Sequence, residues 1–376
     1  MTVPPPAAET AAAPPVPVRL SVCIPAYNRA AELVPLLDSI FAQDYPHFDV
    51  VICEDHSPQR PQIRAVVERY QARHPERIHY SENAENLGFD ANFREMVRRA
   101  TGDYCFIMGN DDLVAPGALA TVAEALARSP GVGVILRSFA WFRDSPDNLY
   151  TVSRYYPDEL LFPPGPDTVV LFYRRSVVMS GLVLHRGEAL TLETDRFDGT
   201  LFYQLHLIAH TLMRRPGLFM PQVLAHYRTG GIPEFGSSAA ERGRFTPGGI
   251  DAEAGIRFLE GLLDIAAYVD QVHGTNVRDR VERDLARHMY PTFAQYADEP
   301  LPVYARLYRD LCAMGFWRYP LFHAYGLAVG VLGRRRIDRL VHAARQRLGY
   351  TPSLGERPRH AVVVRPAEAL PEAVRG

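Results

Sequence analysis

No Cys-x-x-Cys pair occurs among the four cysteines of this 376-residue chain. Cys23, Cys53, Cys105 and Cys312 are too scattered for a zinc site or a disulfide framework. The first three fall in apolar, strand-like runs, where a thiol packs as a small hydrophobe, and this points to a reducing, cytoplasmic setting. An excess of one charge is also missing. The formal net charge is −2, so no basic surface field calls for a nucleic-acid partner. Long apolar runs are absent too: the longest, 321–332, is interrupted by His323 and falls short of the ~18 to 20 residues that span a bilayer. The N-terminus is rich in Pro and Ala, with no basic segment ahead of an apolar one, and so lacks the marks of a secretory signal. Residues 1–17 are expected to be a disordered leader.

What is present is a composition 47% hydrophobic and 22% charged, enough for a sizeable core. From Arg19 onward, short apolar runs alternate with helical periods. Residues 20–25, 48–53, 78–81, 104–108 and 132–136 read as strands, and 30–43, 62–73, 89–100 and 116–128 as helices. Strands separated by helices of this length imply right-handed crossovers and a mostly parallel sheet. After Ser138 the alternation fades into an aromatic and Pro-rich stretch, with loop character at 162–166. A strand over 177–184, a helix over 199–212 and an extended run over 217–227 follow. Residues 229–249 form a Gly/Ser/Pro-rich loop, and 251–348 are helical nearly throughout.

In a parallel sheet, ligands bind beyond the carboxyl ends of the strands. The polar residues there are Tyr27-Asn28-Arg29, Glu54-Asp55-His56-Ser57, Glu82-Asn83 and Asn110-Asp111-Asp112, and all four groups should share one rim. Adjacent carboxylates repel unless a cation or hydrogen-bond donors compensate, and a hard divalent ion shared with substrate phosphates does so. Asp55 can accept from a nucleobase or a ribose hydroxyl, and Tyr27 offers a ring face for stacking. Plainer readings exist: Asp112 as the N-cap of the helix near Pro116, Asp55 and Ser57 as turn formers, Tyr27 as a rim aromatic.

Five segments in order resemble the nucleotide-binding half of family 2 glycosyltransferases: Ser21-Val-Cys-Ile-Pro-Ala-Tyr-Asn-Arg29, Val51-Ile-Cys-Glu-Asp-His-Ser57, Asn86-Leu-Gly-Phe-Asp-Ala-Asn92, Thr101-Gly-Asp-Tyr104 and Met108-Gly-Asn-Asp-Asp-Leu113. The resemblance covers about the first 140 residues and is closest to enzymes building bacterial surface polysaccharide. It implies an α/β GT-A fold, Rossmann-like, with a mostly parallel central sheet flanked by helices and a C-terminal helical extension. The implied domain is 18–249, with a nucleotide-binding half 18–140 and an acceptor half 141–249. A helical region 250–350 and a flexible tail 351–376 would follow. It also implies an inverting transfer of sugar from a nucleoside-diphosphate sugar, with Mg²⁺ or Mn²⁺ as cofactor. Tyr27 and Asp55 would hold the base, with Pro25, Asn28, Arg29, Asn86, Asp90, Asn92 and Asp111 completing the donor site. Asp112 would ligate the metal, with Asp111 beside it and nearer the ribose. Two departures stand out: Glu54 and His56 replace the commoner Asp and Gly, and Asn110 stands where many members have Asp.

A transfer to an acceptor hydroxyl needs a base. The family position carries over to Asp198, with Glu193 and Asp195 as rivals and a helix N-cap as its plainer role. His226 and Arg228 lead into 229–249, where Ser237-Ser238, Arg242 and Arg244 suggest a flap over the donor; a plain surface loop is the other reading. Six arginines and one aspartate lie between 334 and 347, with apolar residues at helical spacing. Segment 321–348 is therefore read as a peripheral contact with the cytoplasmic face of the inner membrane, suited to a lipid-linked saccharide acceptor, or as a helix packed on its own protein. A degenerate, non-catalytic partner subunit is the alternative function. A dinucleotide-dependent dehydrogenase is excluded, because no Gly-x-Gly-x-x-Gly follows the first strand.

Overall fold

The computed structural model describes residues 17–143, 145–337, 339 and 360–364. The predicted leader, residues 1–16 in particular, lies outside the described residues, as does most of 338–359. Strands β1 (Leu20–Ala26), β2 (Phe48–Glu54), β3 (Ile78–Glu82) and β4 (Tyr104–Ile107) alternate with helices α1 (Ala30–Phe41), α2 (Arg60–Arg73) and α3 (Phe89–Arg99). Next come β5 (Leu113–Val114), α4 (Ala118–Arg128), β6 (Val134–Phe142), β7 (Thr151–Ser153) and β8 (Leu160–Phe162). The short helix α5 (Pro166–Tyr173) starts with Pro at its first position, where the missing N–H costs nothing. Then follow β9 (Val183–His185), α6 (Arg186–Leu190), α7 (Tyr203–Arg214) and β10 (Gly217–Arg228).

With β11 (Val362–Val363) at one edge, one sheet runs β11-β8-β10-β6-β9-β4-β1-β2-β3, with β5 on β10 and β7 on β6. Pairings β3-β2, β2-β1, β1-β4 and β6-β10 are parallel, while β9 is antiparallel to both β4 and β6. Alternate side chains leave opposite faces of each strand. Val22, Ile24, Val50, Ile52 and Phe106 pack with α1, α2 and α4 on one face. Cys23, Val51, Cys53, Cys105 and Ile107 pack with α3, α5, α7 and the C-terminal helices on the other. The three strand cysteines are free and fully buried, packing as apolar residues.

The C-terminal region is a set of helices: α8 (Ala252–His273), α9 (Val277–Arg287), α10 (Tyr290–Gln295), α11 (Leu301–Ala313) and α12 (Pro320–Leu332). Asp251 caps α8 by accepting from the Ala254 amide. Among the described residues, no helix is long and apolar enough to cross a membrane. The sequence puts a flexible tail at 351–376, yet Val362–Val363 forms β11 against β8. Two other boundaries differ. The strand expected over 177–184 is confined to β9, and residues 177–182 form an irregular wall. The helix expected from Gly199 starts at Tyr203, because Leu201 adopts φ 68°, outside the helical region.

Candidate active site

After β1 and Tyr27 come two consecutive left-handed residues, Asn28 (φ 52°) and Arg29 (φ 61°). Non-glycine residues hold this conformation only where the surroundings over-determine it. Here Asn110 supplies the restraint: its side-chain amide donates to the carbonyls of Tyr27 (3.3 Å) and Asn28 (3.0 Å). An aspartate could not donate these bonds, which gives Asn110 a structural role of its own.

The strand ends open on a cavity of about 500 Å³. Pro25, Tyr27, Arg29, Asp55, Asn86, Asn92, Asp111 and Asp112 all line it. On one side, Asp55 accepts from the Asn83 side chain (2.8 Å) and from the Leu87 and Gly88 amides (both 2.9 Å). Burial pushes its carboxyl up, against those three bonds. Asn92 accepts from Asn83 and donates to the Cys53 carbonyl, so the polar edge is fully networked.

On the other side lies the acidic turn. Asp111 forms an ion pair with Arg29 at 2.7 Å, and Arg228 Nε donates to its carbonyl. Asp112 is buried; its carboxylate accepts from Ser180 Oγ (2.6 Å) and the Arg228 amide (2.9 Å). Burial, then the neighbouring Asp111 charge, pushes Asp112 up to about 7, opposed by Ser180 and Arg228. Two carboxylates crowded in this way, with Arg29 already drawn onto one of them, fit a hard divalent cation completed by substrate phosphates. Among the described residues, no group of three or more His, Cys, Asp or Glu could hold a metal by itself.

Three predicted residues lie elsewhere. Asn28 does not line the cavity; its amide donates to Glu234 (2.9 Å). Asp90 is buried beneath the cavity and accepts from the Leu201 and Tyr203 amides (both 2.8 Å), so it positions the start of α7 rather than facing a ligand. Asp198 is off the cavity, gripped at both carboxylate oxygens by Arg94 (2.7 and 2.9 Å). Of its rivals, Glu193 pairs with Arg98, and Asp195 is also off the cavity. Glu54, the departure from the commoner Asp, is buried and accepts from the His56 and Ser57 amides, with Arg60 as ion-pair partner.

Residues past 175, with no motif to announce them, also reach the site. Ser180, Gln204, Tyr227, Glu234 and Glu241 line the cavity. Residues 229–249 are strapped across the first motif. Arg29 donates to the Ile232 carbonyl, Asn28 to Glu234, and Glu241 accepts from the Phe89 and Gly236 amides. Arg242 and Arg244 are exposed and do not line the cavity. A larger cavity, about 830 Å³, lies between 162–168 and α9, but gathers none of the predicted residues.

Residues 21–175 match the family model described as glycosyl transferase family 2. Over this segment, less than half of the chain, the sequence is similar to that family. The segment contains all four strand-end groups, whereas Ser180, Gln204, Tyr227, Glu234 and Glu241 lie beyond it. An abequosyltransferase of Salmonella typhimurium is 38% identical over 107 residues, 28% of this chain and 32% of the relative. The GalNAc(5)-diNAcBac-PP-undecaprenol beta-1,3-glucosyltransferase of Campylobacter jejuni is 28% identical over 107 residues, 28% of this chain and 34% of the relative. The chain thus spans about a third of the length of these curated relatives. Among solved structures, Staphylococcus aureus TarS 1–349 in complex with UDP-GlcNAc superposes with a TM-score of 0.55 at 15% identity, over 89% of this chain and 93% of that one. Mannosyltransferase PcManGT from Pyrobaculum calidifontis, in complex with GDP-Man and Mn²⁺, gives 0.50 at 20% identity, over 85% and 87%. The fold is GT-A.

Proposed function

We propose that the protein transfers a glycosyl group from a nucleoside-diphosphate sugar to a saccharide hydroxyl, with inversion, in bacterial surface-glycan assembly at the cytoplasmic side of the membrane. The observation that carries this is the shared cavity. Tyr27, Asp55 and Asn92 stand along one side of it, and Asp111 and Asp112 along the other. The nucleoside lies on the first side and the diphosphate on the second. Asp112, with Asp111 beside it, holds Mg²⁺ or Mn²⁺, which when bound neutralises charge on the diphosphate.

The acceptor oxygen bonds to the anomeric carbon as the bond from that carbon to the diphosphate oxygen breaks. The acceptor proton passes to a carboxylate, and the nucleoside diphosphate leaves. Glu234 offers such a carboxylate at the cavity: one oxygen accepts from Asn28, and the other has no partner among the described residues. Asp198, the family position, serves only if Arg94 releases it. Its capture is the one observation favouring a non-catalytic partner subunit. Glu234→Gln decides: it should lower turnover by about 10²-fold or more.

A lipid-linked acceptor is supported by the Campylobacter relative's name and by α12. Leu327, Val331 and Leu332 are exposed on this uncharged helix, and exposed Arg334, Arg335 and Arg336 follow it. An apolar face ending in cations suits an anionic membrane surface. The rest of the basic helix expected to 348 lies mainly outside the described residues. Thermal melts with UDP, GDP, CDP and dTDP, with and without Mn²⁺, test the reading: one nucleotide should stabilise, and more so with metal. No stabilisation by any of them, together with no turnover across a donor panel, would overturn it.

A further inference from the structure

Arg137, on β6, is among the largest fully buried side chains of the described residues. No carboxylate lies within ion-pair distance of it among the described residues, although a buried guanidinium normally needs one. Its Nε donates to the Ser180 carbonyl (2.7 Å), and Nη2 to the Val178 carbonyl (2.9 Å) and the Tyr227 hydroxyl (2.9 Å). The Tyr227 hydroxyl donates in turn to the Ser180 carbonyl (3.1 Å), while Nη1 has no partner among the described residues. The guanidinium carbon lies 4.9 Å from the Phe139 ring centre.

These bonds converge on the stretch between α5 and β9 that walls the cavity beside the acidic turn. Ser180 is held at both ends. Its carbonyl is fixed by Arg137 and Tyr227, and its hydroxyl accepts from the Gly109 amide (2.7 Å) and donates to Asp112 (2.6 Å). The wall has no regular structure of its own, so its position depends on these bonds. Lysine could not replace the planar fork that reaches two carbonyls and a hydroxyl together. Gly181, at φ 79°, lies against Arg137: a Cβ there would come within 3.2 Å of its Nε.

We propose that Arg137 is a positioning residue for the transfer reaction. It fixes the Val178–Ser180 wall and, through Ser180, the orientation of Asp112. It does not itself line the cavity. The kinetic part rests on the transferase reading above; the local part does not. The burial of a permanently charged group with an orphaned nitrogen, where a methionine would fill the space more cheaply, is what a purely structural role leaves unexplained.

The test uses the full chain with Arg137→Lys, Arg137→Met and a core variant remote from the cavity, Phe316→Leu. Hydrogen exchange reads the amides of Gly109 and Gly181, bonded to Ser180 Oγ and to the Ile107 carbonyl. Both Arg137 variants should lose protection there while β1 and β2 keep theirs. With the donor that gives turnover, kcat should fall about 10- to 100-fold and KM stay within about threefold, because misplacement near the reacting groups acts on the transition state. Phe316→Leu, matched in melting temperature, should leave both constants near wild type. Unchanged protection at Gly109 and Gly181, or a kcat loss no larger than that of Phe316→Leu, overturns the proposal. If the Arg137 variants do not fold, Tyr227→Phe, which removes one strut of the same wall, should show the same local loss in weaker form. If wild type transfers no sugar, the transferase reading falls, and the exchange result still decides the role of Arg137.

Discussion

Arg94 on α3 holds Asp198 through a two-pronged ion pair, at 2.7 and 2.9 Å, and also donates to the Thr194 carbonyl. The pair is mostly buried, with Arg94 12% and Asp198 24% exposed, so Asp198 is first of all a tie between α3 and the chain entering α7. Asp198→Asn should cost about 1–3 kcal/mol of stability by leaving Arg94 short of its counter-charge. Turnover should stay within about tenfold of wild type. Chemical denaturation alongside initial rates checks both. A 10³-fold loss of turnover with unchanged stability would return Asp198 to the role of base.

Asp112 should show the opposite trade. Its burial and the Asp111 charge disfavour the ionised form, and Asn in its place removes that conflict. Asp112→Asn is expected to melt at or above the wild-type temperature, yet to lose the extra stabilisation that Mn²⁺ gives with nucleotide. Melting curves with and without metal read both effects.

Gly88 opens α3 at φ 85°, and its amide donates to Asp55. A Cβ there would clash with Ser238 Oγ and stand 2.9 Å from Glu241 Oε1, both on the strap. Gly88→Ala should therefore cost about 1–3 kcal/mol and weaken nucleotide binding, since the strap must shift away from the Asp55 edge. Calorimetric titration with the nucleotide that stabilises wild type measures the second effect.

Acid should loosen the contact between α7 and α8. Burial pushes His206 down to about 4; burial, then the His206 and His273 charges and Arg214, pushes His210 down to about 3, and its Nδ1 lies 2.9 Å from His273 Nε2. Below pH 6.5 the unfolded chain takes up protons that the folded chain refuses. Each histidine thus contributes stability above its unfolded pKa that is lost toward pH 4, at about 1.4 kcal/mol per pH unit. Asp90 acts with the opposite sign. Burial raises it to about 7, so its neutral form favours folding at low pH and that contribution is lost as pH rises from about 4 to 7. Urea unfolding from pH 4.5 to 7.5 separates the two. The stability of wild type minus His206→Gln/His210→Gln should rise with pH, and that of wild type minus Asp90→Asn should fall.

The rim at the ends of β1 to β4 was legible because its logic is local. Strands β1 to β4 run in sequence order with helices between them, so the strand-end rule alone brings Tyr27, Asp55 and Asp111 to one rim. The rule gave no warning for Asp90. An acid in the first turn of a helix in a matching motif looks like a ligand group, but its partners are amides more than a hundred residues away. Past residue 175 the signals fail for the same reason. Leu201 departs from the helical region where sequence periodicity continues a helix, and Ser180 and Glu234 are ordinary residues in irregular chain. Arg137 carries no motif, and a lone arginine in an apolar strand shows its partners only once β6, β10 and the wall before β9 are assembled.

The strap also sets when the site can exist. Asn28 and Arg29 take partners 206 and 203 positions downstream, and the Phe89 amide one 152 positions downstream. A nascent chain that has emerged only through residue 175 contains the whole segment matched by the family model but not the strap. During synthesis, the pocket's first-made half waits for its last-made edge. A shortened chain ending at 175 would leave the first motif bare and lack Ser180, Glu234 and Glu241, so the segment richest in recognisable sequence is not a self-sufficient unit.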